Sequence, residues 1–309
     1  MKLTMHPVCN ESEYWQTRNF LREIFLLHNR IERGWNVARL DYWRWHLIAN
    51  LQAYPSVENS LFVWTTENGK IVAALNGIVQ GEARLHIHPE YRSPQLQDEM
   101  LAQAETALFT TEDGTPFVYL PVDSDDSLLH ETLVSRGYEK NPGRSNKWRR
   151  DLDAPIPEVK TPADYKIRSM GGEEEHPARS WASWRSFHSE EPNENYDGDY
   201  SWIRNMQSAP LYRRDLDIVA ATPNGEIASF CTIYYDDYTR SAVCVLVGTA
   251  AEHWQRGLGK AVIYEGMRRL QRLGCTRIFA TAFDPPANAL YGSVMNEKQV
   301  AETWLKVIK

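Results

Sequence analysis

The sequence predicts a mixed α/β protein, α+β in class, made of two halves that repeat one order of elements. Three observations carry that prediction. Residues 243–264 run from an apolar strand through a glycine-bearing loop into an amphipathic helix. Each half also holds a hairpin signal, Asn68-Gly69 in the first and Pro223-Asn224-Gly225 in the second, set between strand-like runs. Between the halves, residues 151–162 are polar and carry Pro155, Pro157 and Pro162, the composition of a semi-stiff connector. Domains over 1–150 and 164–309, joined by a linker over 151–163, are therefore expected.

Composition narrows the function classes. Of the 309 residues 42% are hydrophobic and 24% charged, the balance of a chain that buries a core. The net charge of −7 and the lack of a basic stripe speak against nucleic acid as a partner. No apolar run approaches the roughly 18 residues of a membrane span, and the first residues lack the apolar core of a secretory signal. Cys9, Cys231, Cys244 and Cys275 form no C-x-x-C pair, and three of them sit in apolar contexts that read as core. A reducing cytoplasm, no membrane and no metal site are the expectations. The oligomeric state is left open.

In the first half, residues 14–51 read as two helices broken near Gly34, on the spacing of Phe20, Ile24, Leu27 and Ile31 and then Leu40, Trp43 and Leu47. A hairpin over 60–80, a strand over 82–88 and a helix carrying Leu96, Met100, Ala104 and Leu108 follow. A strand at 116–120, a helix near 127–135 and Gly137-Tyr138 end the half. His46, in the aromatic run 42–46, reads as a structural histidine.

The second half opens with a strand at 165–170 and a helix over 177–188 that carries Trp181, Trp184 and Phe187. An acidic loop at 190–200 leads to a short helix at 200–206 and a hairpin over 216–235. Then comes the strand with Val243, Val245 and Val247, apolar on both faces and hence buried. Gln255, Arg256, Gly257, Leu258, Gly259 and Lys260 lie between it and a helix with Ile263, Met267 and Leu270 on one stripe. Two glycines let a backbone approach a ligand, a helix start aims unpaired N–H groups at it, and Arg256 and Lys260 add positive charge. That is an anion cradle. Position 262 is Val, so the third glycine of a dinucleotide fingerprint is missing, and no G-x-x-x-x-G-K-[ST] loop is present.

The strand, the loop with Gly257 and Gly259, and the helix together resemble the pyrophosphate loop Q/R-x-x-G-x-G/A of the GNAT superfamily of N-acetyltransferases. Asp284, Ala287, Asn288, Leu290 and Tyr291 fall in a stretch similar to that family's N-x-x-A-x-x-L-Y. The first half resembles the family in element order, with His88-Pro89-Glu90-Tyr91-Arg92 before its own helix and Gly137-Tyr138 after it. The resemblance implies two tandem GNAT-like domains about 160 residues apart, each a mixed, mostly antiparallel sheet flanked by helices.

It further implies acetyl-CoA as co-substrate and transfer of its acetyl group to a primary amine of a small molecule or peptide. Tyr291 would protonate the departing thiolate, and Val247, Gly248 and Thr249 would offer backbone donors to the thioester carbonyl. Gln255 through Lys260, with Asp284 and Asn288, would bind the cofactor. For the base, His188, Glu190, Glu191, Asp236 and Asp237 all stay open. The sequence departs from the motif at Trp254, Asp284 and Met295-Asn296. The alternative that Asp284 and Met295-Asn296 motivate is a non-enzymatic acyl-CoA-binding sensor or interaction protein. In the first half Gln95, Gln97 and Asp98 stand where the cradle residues would be, and Leu133 stands for the tyrosine. That copy is expected to be degenerate and to bind no cofactor.

Overall fold

The structure, a computed structural model, describes residues 2–54, 56–158 and 161–308. The chain divides into two compact units, Met1–Lys147 with Gln299–Lys309, and Trp148–Lys298.

The first unit begins with β1 (Thr4–Pro7), α1 (Glu11–Leu27) and α2 (Val37–Tyr42), the last passing into a wider-wound segment, Trp43–Ile48. Asn10 and Asn36 cap the two helices by accepting backbone N–H groups, as helix starts require. Strands β2 (Phe62–Thr65), β3 (Ile71–Asn76) and β4 (Arg84–Ile87) form, with β1, an antiparallel sheet in the order β1-β2-β3-β4. The Asn68-Gly69 turn lies between β2 and β3 with Gly69 at φ 79°. Helix α3 (Pro94–Ala107), the short β5 (Thr110–Glu112), β6 (Thr115–Asp123) and α4 (Ser127–Ser135) follow. Every residue of β3 is buried. It lies at the centre of a core that includes Tyr14, Phe20, Trp43, Trp64 and Met100. The edge strands β1 and β5, three to four residues long, were not expected from the sequence. After α4, β7 (Glu139–Asp151) runs to the unit boundary and past it.

The second unit continues with β8 (Lys166–Ser169), α5 (His176–Phe187), α6 (Trp202–Gln207), β9 (Asp217–Ala221), β10 (Ile227–Asp236) and β11 (Ser241–Thr249). Helix α7 (Leu258–Arg272), β12 (Arg277–Ala282) and α8 (Pro285–Val294) complete it, and β13 (Glu297–Val307) begins there. Its strands stand in the order β12-β11-β10-β9-β8, antiparallel except for the parallel pair β11–β12.

Strand β10 is buried along its whole length because both faces are covered. Cys231, Ile233 and Tyr235 join the core against α7, while Phe230 joins a second cluster with Ala182 of α5. That is the two-residue alternation of a central strand. Cys231, Cys244 and Cys275 are buried and Cys9 is exposed.

Two expectations about boundaries differ from what the structure shows. Leu152 and Ile156, in the expected linker, are buried in the second unit's core. The carbonyls of Leu152 and Ala154 also accept from Gln271 Nε2 at 3.0 and 2.9 Å. The polar, proline-bearing composition concealed two apolar anchors. Residues 299–309, expected to close the second domain, belong to the first unit, where β13 pairs antiparallel with β6 from Ala301↔Asp123 to Val307↔Phe117. Among the described residues no helix is long and apolar enough to cross a membrane.

Candidate active site

The candidate site lies where β11 leaves its neighbour. β11 and β12 pair only over Ser241↔Arg277, Ala242↔Ile278 and Val243↔Phe279, although both strands run on. On its other side β11 stays paired with β10 to Ser229↔Thr249, with a bulge that leaves Val245 as the extra residue. A bulge bends a strand and increases its twist, which accounts for the parting. Beyond Val243 the edge of β11 that faced β12 is open, and residues 245–249 are half-buried.

The ladder's alternation assigns that edge. Ala250 N–H donates to Ala228 O on β10 at 2.9 Å, so Thr249 and Val247 turn their backbone groups the other way. Trp254 Nε1 donates to the Thr249 carbonyl there at 2.7 Å. The Val247 N–H accordingly points along the open edge. Gly248 serves packing: a Cβ would lie 2.5 Å from Phe230 Cζ and 2.7 Å from Ser186 Oγ, so a side chain there would push α5 away from the strand.

From Thr249 the chain makes a 3-10 turn over Ala251–His253 and enters α7 through two left-handed residues, Gln255 at φ 60° and Gly257 at φ 74°. Gly257 is the N-cap residue and offers no side-chain acceptor to the helix. The first N–H groups of α7 have no intrahelical partner by construction, and here no cap side chain takes them. A helix start in this state carries roughly half a positive charge, the physical requirement for an anion site. Gly259 faces Thr249 and Leu290; a Cβ would sit 3.4 Å from Thr249 Oγ1 and 3.5 Å from Leu290. The end of β11, the start of α7 and the middle of α8 thus meet at this glycine. Leu258 is buried beneath the turn, and Lys260 lies with Nζ 5.9 Å from the Tyr264 ring centroid.

Arg256 is fixed from behind the turn. Its Nη1 donates to Tyr165 Oη at 2.7 Å and its Nη2 to the Glu252 carbonyl at 3.3 Å. Tyr165 Oη also meets His253 Nδ1 at 2.8 Å, and His253 Nε2 meets Glu226 Oε1 at 3.1 Å. Sequence reading missed this chain. Its members are separated by up to 91 residues, and none stands in a motif.

On α8, the Asp284 carboxylate accepts from Ala287 N at 2.7 Å and caps the helix. Asn288 donates to the Asp284 carbonyl at 2.8 Å and accepts from Trp148 Nε1 at 3.0 Å. Both side chains are engaged within the fold. Tyr291 is 7% exposed and packs in the core with Leu258 and Val262 of α7. The base candidates do not converge on the opened strand. Asp236 accepts from Thr239 N and Oγ1 in the β10–β11 turn, at the far end of the ladder from Thr249. His188 and Glu191 form an exposed pair at 2.7 Å.

The first unit's helix start is closed by contrast. Ser93 accepts from Leu96 N at 3.2 Å and caps α3. Gln97 is fully buried and accepts from Thr132 Oγ1 at 2.9 Å, while Asp98 accepts from Arg136 Nη1 at 2.6 Å.

Residues 179–295 match the model of the acetyltransferase (GNAT) family. Solved structures similar to the whole chain include a GCN5-related N-acetyltransferase from Sphaerobacter thermophilus, 13% identical, TM-score 0.61, covering 99% of this chain and 96% of that one. A tandem GNAT protein from the clavulanic acid biosynthesis pathway is 15% identical, with TM-score 0.65 and coverage of 99% and 98%. The Saccharomyces cerevisiae N-myristoyltransferase with bound myristoyl-CoA is 12% identical, with TM-score 0.55 and coverage of 98% and 78%. No curated protein sequence matches.

The chain is a tandem GNAT-fold protein, and its second unit carries the domain of the acetyltransferase (GNAT) family. It is an acyltransferase of the N-acetyltransferase class, whose reaction is acyl transfer from CoA.

Proposed function

We propose that the protein moves an acetyl group from acetyl-CoA to a primary amine of a small molecule or peptide, at one site in the second unit. The observation that carries the reading is the uncapped start of α7, entered through Gln255 and Gly257 and set beside the open edge of β11. The N–H groups of Leu258, Gly259 and Lys260 receive the pyrophosphate, with Arg256 and Lys260 supplying charge. The acyl arm then lies along the opened strand. The Val247 N–H donates to the thioester carbonyl and gains strength as the oxygen becomes an oxyanion. The neutral amine attacks the carbonyl carbon, the C–N bond forms and the C–S bond breaks. The Tyr291 phenol hands its proton to the leaving thiolate, the ammonium loses one to solvent, and the phenolate regains one from solvent, so the phenol is restored.

The first unit holds no second cofactor site in this reading. Its helix start is capped by Ser93, and the glycine positions are filled by Gln95 and Gln97. A sensor or interaction protein without turnover rested on the departures at Asp284 and Met295-Asn296. Asp284 caps α8 and Met295 packs in the core with Tyr291, so both have a place in the fold without loss of the site, and the transferase reading is preferred. The protein acts in the cytoplasm.

Thermal shift and thiol release with acetyl-CoA, tested alongside myristoyl-CoA and a panel of amines, examine the reading. Stabilisation by acetyl-CoA that disappears in Gly257→Trp, with free CoA released only when an amine is present, is expected. No stabilisation, or stabilisation indifferent to that substitution, overturns it.

A further inference from the structure

The hydrogen-bond chain behind the cradle ends on Arg256, which can only donate. A guanidinium has only N–H donors, so Tyr165 Oη accepts from Arg256 at 2.7 Å. The phenol keeps its own proton to give, and a neutral His253 with Nδ1 unprotonated, 2.8 Å away, is placed to accept it. A neutral imidazole that accepts at Nδ1 carries its proton at Nε2, where the Glu226 carboxylate stands at 3.1 Å. In that tautomer each group has one role. Tyr165 and His253 are 9% and 8% exposed, so water competes little for these bonds. The four members come from four places: the approach to β8, the β9–β10 turn, the 3-10 turn after β11, and the cradle loop itself.

The chain ends on the one residue that stands between the two left-handed positions. Gln255 and Gly257, at φ 60° and 74°, flank Arg256. A non-glycine residue in that region persists only where its surroundings hold it. Arg256 is held twice, by Tyr165 Oη and by the Glu252 carbonyl. The same loop sets where the first N–H groups of α7 point.

We propose that Glu226, His253 and Tyr165 are positioning residues for the pyrophosphate cradle: they fix Arg256, and through it the turn that aims the start of α7 at the diphosphate of an acyl-CoA. This inference rests on the acyl-CoA reading above and extends it. None of the three needs to touch the ligand. Their effect is confined to the part of the ligand that the cradle holds.

That confinement gives the test. Acetyl-CoA carries the pyrophosphate and S-acetyl-pantetheine does not, so the two probes separate cradle geometry from everything else. In Tyr165→Phe, which keeps the ring and removes only the oxygen, the KM for acetyl-CoA is expected to rise about tenfold, the worth of one charged hydrogen bond. The KM for S-acetyl-pantetheine and both kcat values should stay within about twofold of wild type. Glu226→Gln keeps an acceptor for His253 Nε2 and should bind acetyl-CoA nearly as wild type does, whereas Glu226→Ala should not. Loss of affinity for both probes alike would mean general loosening of the unit and overturns the proposal. So does an unchanged KM for acetyl-CoA in Tyr165→Phe while the wild type binds. Wild-type protein that binds no acetyl-CoA by calorimetry overturns the functional reading itself, and this inference falls with it.

Discussion

Tyr291 shows how little a residue's type says about its work until its surroundings are known. Its ring is buried against α7, which a core tyrosine would also be. The hydroxyl alone separates the two roles. Tyr291→Phe keeps the packing and removes the acid, so kcat should fall about 100-fold while the affinity for acetyl-CoA stays within about twofold. Steady-state kinetics paired with calorimetry check this, and an unaltered kcat would return Tyr291 to the core.

His86 of the first unit makes a second case, one that no motif signals. Its Nδ1 accepts from Trp35 N at 3.2 Å and its Nε2 meets Asn76 Oδ1 at 2.9 Å, so the neutral ring satisfies both neighbours. Burial, with a smaller push from Arg84, lowers its pKa to about 3. The unfolded chain takes up a proton near pH 6.5 that the folded unit refuses. Stability present at neutral pH is therefore lost as pH falls from about 6.5 towards 3, by about 1.4 kcal/mol per pH unit from this group. Urea unfolding across that range should show the slope, and His86→Gln should flatten it by that amount. Such partners lie too far apart in sequence to be read from it: His86 and Trp35 are 51 residues apart.

At the scale of elements, the two helix starts α3 and α7 differ in their caps and in the residues of their first turns. The sequence shows the glycines at 257 and 259 and their absence at 95 and 97, because those signals are local. The parting of β11 from β12 was harder to see. It depends on a bulge at Val245, and nothing in a run of valines marks which one is extra. The role of Asp284 was also hidden, since cap and ligand contact ask for the same residue types. Its geometry makes a prediction. Asp284→Asn keeps an N-cap acceptor and should leave both the melting temperature and turnover almost unchanged. Asp284→Ala should cost about 1 kcal/mol of stability, with acetyl-CoA affinity lowered only as far as α8 frays. Chemical denaturation of both variants decides this. Lost binding in Asp284→Asn would instead make the carboxylate a ligand contact.

For the whole molecule, the sequence made the tandem repeat legible because each half carries its own hairpin and helix order. The exchange at the C-terminus was not legible. Nothing in the residues of β13 marks which unit receives it, and only the register with β6 shows that residues 301–307 belong to the first unit. Duplication also raises the question of how many cofactors one chain holds. A helix start binds an anion when its N–H groups are unpaired and its approach is clear. At α7 no cap side chain intervenes, and a Cβ at Gly257 would meet nothing within 4 Å. At α3, Ser93 occupies the Leu96 N–H, Pro94 has no N–H to give, and Asp98 places a carboxylate in the first turns. Titration calorimetry with acetyl-CoA should therefore find about one equivalent per chain, and Gly257→Trp should abolish it rather than halve it. Two equivalents, or half the heat remaining in that variant, would mean that α3 receives a diphosphate despite its cap. Ser93→Gly, which frees the Leu96 N–H, should not create a second site, because Pro94 still has no N–H to give and Gln95 and Gln97 still stand where the glycines would be.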